Sequence, residues 1–187
     1  MEDPLDVIVG RYARQGHIAY DGEGVTQLQH GWQCAQLARR AGAGDALVLA
    51  CWLHDIGHLV SDLAGTPTLQ GIDDRHEALG ARVLREVFGD AVARPVGLHV
   101  MAKRYRVAVE PDYARRLSDD SRRSLALQGG PLSPAACEAF IDDRHAADAL
   151  RLRAWDDMAK RAHEGPADDA VALAELRALM QRVRAAG

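Results

Sequence analysis

Residues 46–60 read ALVLACWLHDIGHLV, an almost unbroken apolar run with a histidine and an aspartate in its middle. A segment apolar on nearly every side is expected to be a central helix packed all round, here predicted over 45–60. Within one turn of Asp55 lie Cys51, Trp52, His58 and Leu59, with no lysine or arginine among them. A buried carboxylate without a partner costs several kcal/mol, so a positive charge must come from elsewhere in the fold. A metal ion would supply it; so would His58 or an arginine distant in sequence.

Apolar residues recur at helical spacing along the rest of the chain, and alternating strand-like runs are absent. Helices are predicted near 3–14, 25–41, 45–60, 72–88, 91–103, 118–128, 133–141, 143–162 and 168–185. Stop signals separate them: GAGD at 42–45, GTPTLQG at 65–71, GGPLSP at 129–134 and HEGP at 163–166. A length of 187 residues, with no repeat or linker, suits a single all-α domain over 1–187. Its motifs fall within 20–160, and residues 166–187 form a C-terminal helix.

Other histidines sit on inward-facing stripes. His30 shares a face with Cys34, Leu37 and Ala41; His76 with Gly80, Val83 and Val87; His99 with Val92 and Val96. Asp156 lines up with Ala149, Leu152 and Ala159, whereas Asp157 faces Leu150, Arg153, Lys160 and Arg161, a mostly charged side. Each such histidine taken singly also fits a satisfied core residue. Together, His30, His54, Asp55, His76, His99 and Asp156 exceed what one tetrahedral zinc would use. His17, His58, His145 and His163 are left outside the ligand set, with His58 a candidate to support a ligand from behind.

The remaining composition excludes more than it assigns. A net charge of −4 gives no reason to expect nucleic-acid binding. No apolar run reaches the roughly 18–20 residues of a membrane span. The start, MEDPLDVIVGRYARQG, lacks the basic opening of an export signal, so a cytoplasmic location is expected. Cys34, Cys51 and Cys137 are widely spaced and read as buried thiols.

The series His30, His54-Asp55, His76, His99, Asp156 resembles the HD-domain superfamily in its dinuclear form. The resemblance implies one metal on His30, His54, Asp55 and Asp156, with Asp55 bridging to a second on His76 and His99. Beyond the ligands, YDGEGVTQLQH (20–30), SRRSLALQGG (121–130) and RAWDDMAK (153–160) resemble the mixed-valent diiron oxygenases that cleave 2-amino-1-hydroxyethylphosphonates, relatives of myo-inositol oxygenase. That likeness implies two iron ions, ferrous and ferric, with dioxygen as co-substrate. The substrate would be a small 1-hydroxyphosphonate, its amine free or trimethylated, and the products glycine or glycine betaine and phosphate. A preceding hydroxylase would supply the 1-hydroxyl. Tyr20, Glu23 and Lys103 take catalytic roles, and Glu23, Lys103, Ser121, Ser124, Gln128 and Arg153 bind substrate, with Glu23 receiving the amine.

Each of these outer residues also has a plainer reading. Lys103 heads the basic run KRYR and fits a solvated helix end, Ser121 fits a helix surface, and Arg153 can pair with Asp157 at i, i+4. Tyr20 and Glu23 fit a glycine-rich helix entry, and 65–71 a loop over the site. An HD phosphohydrolase acting on a nucleotide or other phosphate ester, and a non-catalytic binding module, are the alternatives. Myo-inositol oxidation would leave Lys103, Arg153 and the serines without a task.

Overall fold

Short polar side chains cap five of the eleven described helices. Thr26 and Gln29 form a reciprocal capping box (Gln29 N to Thr26 Oγ1, 3.2 Å; Thr26 N to Gln29 Oε1, 2.9 Å), and the side chains of Asp3, Ser118, Ser133 and Asp168 each accept one backbone N–H of the first turn. The computed structural model describes residues 2–20, 23–61 and 67–187. Among them, the helices are α1 (Pro4–Gln15), α2 (Gln27–Arg40), α3 (Asp45–Leu53), α4 (Ile56–Val60), α5 (His76–Phe88), α6 (Asp90–Val109), α7 (Tyr113–Arg116), α8 (Asp119–Leu127), α9 (Pro134–Ile141), α10 (Ala146–Met158) and α11 (Asp169–Ala186). Pro67–Gln70 is a 3₁₀ turn, and the β-pairing is an isolated Ala19–Thr26 bridge. The all-α class read from the sequence is therefore observed, and no helix among the described residues is long and apolar enough to cross a membrane.

The α3 helix is central: it packs on α2, α6, α10 and α11, and every residue from Leu47 to Leu53 is buried. Burying side chains the size of Leu49 and Leu53 contributes about 1.5–3 kcal/mol each. The expected helix 45–60 is broken, however. Asp55 adopts φ −100°, ψ 12°, and α4 starts afresh at Ile56. Neighbours in a regular helix diverge by about 100°, so the break is what lets His54 and Asp55 face one cavity. At this break the Trp52 carbonyl accepts a hydrogen bond from Tyr12 Oη (3.1 Å) and the Cys51 carbonyl accepts from His54 Nδ1 (2.8 Å), so these buried carbonyls have partners.

Three other boundaries differ from the sequence reading in ways that matter. Helix α5 starts at His76, not 72, because Arg75 takes a left-handed conformation (φ 50°) that swings Asp74 over the helix start. Helix α6 runs on to Val109, and α10 stops at Met158, leaving Lys160 beyond its end. The α4–α5 approach needs a glycine: a Cβ on Gly57 would lie 2.0 Å from the His76 carbonyl oxygen. Cys34 and Cys51 are buried as expected, Cys137 half-buried.

Candidate metal centre

Four helices and the α3–α4 break deliver the six expected donors to one basin: His30 from α2, His54 and Asp55 from the break, His76 from α5, His99 from α6 and Asp156 from α10. All six are buried. They fall into two groups. In the first, His30 Nε2 and His54 Nε2 lie 3.2 Å apart, with Asp156 Oδ1 3.2 Å from His30 and Asp55 Oδ2 3.2 Å from His54. In the second, His76 Nε2 and His99 Nε2 are again 3.2 Å apart, and Asp55 Oδ1 lies 3.4 Å and 3.7 Å from them. Asp55 thus turns one oxygen to each group.

The outer nitrogens fix the chemistry of the inner ones. Nδ1 donates to a pure acceptor in every ring: His30 to the Ala159 carbonyl (2.8 Å), His54 to Cys51 (2.8 Å), His99 to Val96 (2.7 Å) and His76 to Asp74 Oδ1 (2.9 Å). A neutral imidazole with its proton on Nδ1 carries a lone pair on Nε2. Each 3.2 Å contact therefore either shares a proton between its two rings or, with both rings neutral, sets two lone pairs face to face, which a cation between them would relieve. Asp55 Oδ2 and Asp156 Oδ1, buried beside them, accept no hydrogen bond. Burial works against their charge, yet His54 holds the Asp55 carboxyl well below the usual range, and Arg153 does so for Asp156. Imidazole nitrogens and carboxylate oxygens without thiolate fit two first-row metal ions, iron included.

A layer behind the donors fixes them. Asp74, which the sequence reading passed over, holds His76 with one oxygen, and its Oδ2 lies 2.7 Å from Nδ1 of His58, whose ring stacks on His76 (4.1 Å). Burial opposes ionisation of Asp74, but His58 and His76 keep its carboxyl well below the usual range. Arg153 is fully committed as well. Its Nη1 lies 2.7 Å from Asp156 Oδ2, its Nη2 reaches Asp157, and its Nε donates to Tyr113 Oη (3.2 Å). The pairing with Asp157 anticipated for a surface arginine is present, but the side chain is buried.

A cavity opens over the second group, walled by Tyr20, His58, Thr68, Lys103, Ser121, Ser124, Gln128 and Arg153 among others. Lys103 is buried and its Nζ donates to Ser124 Oγ (2.7 Å). Burial, then the Arg153 guanidinium, pull its pKa from the ordinary 10.5 to about 7. Gln128 Oε1 is buried without a partner. Tyr20 stacks on His30 (4.1 Å, 19°), and burial, then Asp55 and Asp156, push its phenol well up, so it stays neutral. Of the expected loop 65–71, residues 65 and 66 lie outside the described residues; Thr68 Oγ1 donates to Asp120 Oδ1 (2.6 Å), which ties the 3₁₀ turn to α8.

One expected substrate residue is placed differently. Glu23 does not wall the cavity, and its Oε1 lies 3.0 Å from Lys160 Nζ.

The HD domain family matches residues 28–148, stopping short of Asp156, which the fold itself brings in. A [1-hydroxy-2-(trimethylamino)ethyl]phosphonate dioxygenase (glycine-betaine-forming) of Leisingera caerulea is 36% identical over 159 residues, covering 84% of this chain and 81% of that protein. A hydroxymethylphosphonate dioxygenase of Gimesia maris is 42% identical over 146 residues, covering 78% and 72%.

Proposed function

The chain belongs to the HD-domain family, and from that premise we propose that it is a dioxygenase that opens the carbon–phosphorus bond of a 1-hydroxyphosphonate at a diiron centre. One hydroxyphosphonate and one dioxygen give one carboxylic acid and one phosphate, which balances every atom. Relatives 36% and 42% identical to this chain over the 159 and 146 aligned residues carry phosphonate dioxygenase names, which supports the reaction class. The assignment of iron, and of its ferrous–ferric state, is our own reading from the imidazole and carboxylate donors. His30, His54, Asp55 and Asp156 would hold one ion, and Asp55, His76 and His99 the other. Bound there, the pair supplies dioxygen activation and the oxidising power needed at the carbon next to phosphorus.

The protein's own groups then bind and orient. Lys103 and the Ser121 hydroxyl offer a positive charge and a donor to the phosphonate oxygens, and Ser124, whose own hydroxyl donates to the Ser121 carbonyl (3.1 Å), holds Lys103 in place. Arg153 adds charge but spends its hydrogen bonds on Asp156, Asp157, Tyr113 and the Ser121 hydroxyl (3.4 Å), so it acts chiefly by aiming a metal-site carboxylate and a cavity-wall serine. The unpartnered Gln128 oxygen suits a ligand hydroxyl. Tyr20, neutral and laid on His30, closes the side of the basin toward the first group. A hydroxylating reaction must supply the 1-hydroxyl.

The observation that carries this reading is the buried Lys103–Ser124 pair on the wall of a cavity that also exposes both halves of the donor basin. The test is phosphate release from 1-hydroxyphosphonates by iron-loaded protein, with and without dioxygen. Release confined to the aerobic sample is expected. Equal release without dioxygen, or hydrolysis of phosphate esters instead, would overturn it.

A further inference from the structure

Helix α10 ends at Met158, and the chain that follows lies against α2 without regular structure. Its backbone groups therefore depend on side chains for partners. Gln33, 2% exposed, spends its whole amide on them. Its Nε2 donates to the carbonyls of Arg161 (2.8 Å) and Glu164 (2.6 Å), and its Oε1 accepts the Arg161 N–H (3.0 Å). Turning the amide over would set its oxygen against two carbonyls, so the orientation is fixed.

The same segment opens with the Ala159 carbonyl, which accepts the Nδ1 hydrogen of His30 (2.8 Å). His30 and Gln33 are one turn apart on α2, and Ala159 is two residues from Arg161, so the two contacts close a small ring. Both His30 and Ala159 are fully buried, so water does not replace that carbonyl. Asp156 Oδ1, which accepts no hydrogen bond, lies 3.2 Å from His30 Nε2. Without the Ala159 carbonyl, this oxygen would draw the imidazole proton to Nε2 and remove the lone pair that a metal needs.

We infer that Gln33 is a positioning residue for the first metal: by stapling residues 161–164 to α2, it keeps the Ala159 carbonyl on His30 and the His30 lone pair turned into the basin. The inference rests on His30 being a metal donor, not on carbon–phosphorus cleavage. It concerns the first group alone, since His76 and His99 take their acceptors from Asp74 and Val96. Lys160 also ties the segment down, through Glu23 (3.0 Å), but on a long flexible stem, so loss of Gln33 loosens the carbonyl without releasing it.

Gln33→Met keeps an unbranched side chain of similar size and removes all three hydrogen bonds. Its effect is read by chelator competition for ferrous iron, without dioxygen, in two backgrounds that each leave one donor group. In His99→Ala, which leaves the first, Gln33→Met should weaken iron binding about tenfold, the lower end for groups behind a ligand. In His30→Ala, which leaves the second, it should change affinity by less than about twofold. Equal weakening in both backgrounds, as general loosening of the fold would give, or no weakening in the first, would overturn the inference while His30 stood as a donor. Two equivalents of iron retained by His30→Ala would overturn the donor reading and the inference with it. The unaltered protein provides a second test, because coupling between sites is reciprocal: iron loading should slow hydrogen exchange of the Arg161 amide, whose acceptor is Gln33, by about tenfold. Exchange there at the same rate with and without iron would overturn the inference.

Discussion

Asp74 accepts the Nδ1 hydrogen of His76 at 2.9 Å and places its other oxygen 2.7 Å from Nδ1 of His58. One carboxylate thus orients a metal-site histidine and the cavity-wall histidine stacked on it. Such partners behind a ligand typically change metal affinity by about 10–100-fold when removed. Asp74→Asn should therefore weaken the second metal by about that factor while leaving the first nearly untouched. Competition against a chelator, followed metal by metal, would check this, and loss of both ions together would contradict it.

Metal content should report the division of the basin. The unaltered protein is expected to bind two equivalents of iron and His99→Ala about one. Asp55→Ala should bind neither firmly, since each group relies on one of its oxygens. Elemental analysis after gel filtration distinguishes these cases. Two equivalents retained by Asp55→Ala would show that the carboxylate does not bridge.

Gly57→Ala should be costly out of proportion to one methyl group. The added Cβ would lie 2.0 Å from the His76 carbonyl oxygen, and backbone cannot rotate aside as a side chain can. A loss of about 3 kcal/mol is expected, lowering Tm by about 6–12 °C for a chain of this size. Weaker binding of the second metal should accompany it. A thermal melt within about a degree of the parent would mean α4 and α5 separate freely.

Lys103 gives the reaction a pH signature. Its folded pKa of about 7 lies below the ordinary 10.5, so the ammonium that meets phosphonate is present below about pH 7 and lost as pH rises through it. The value of kcat/KM, which reports the free enzyme, should fall above that pH, and Lys103→Arg should carry the decline at least about one unit higher. Stability moves the opposite way: between about 7 and 10.5 the unfolded chain holds more protons, so this residue favours folding increasingly as pH rises. Lys103→Met should flatten that slope in denaturant titrations.

Hydrophobic period made the longer helices visible in the sequence and set the six candidate donors apart, because His30, His76, His99 and Asp156 sit on inward-facing stripes and His54 and Asp55 in a segment apolar nearly all round. The break at Asp55 was hidden by the apolar residues that continue through it. A signal was nevertheless there: two adjacent polar residues that both need one cavity cannot sit on a regular helix. Asp74 was concealed by the polar stretch DDR before His76, which reads as an exposed helix start. The Lys160–Glu23 pair spans 137 positions, and no local pattern links its halves. The four-residue α7 is too short for any periodicity to register.

The second donor group is drawn entirely from residues 55–99, whereas the first joins His30 to Asp156. A chain emerging from the ribosome can thus bring Asp55, His76 and His99 together while α10 is still unmade. The first group must wait for long-range closure, the slower kind of contact to form. Asp55 belongs to both, so the part of the basin assembled early already fixes one donor of the part assembled last.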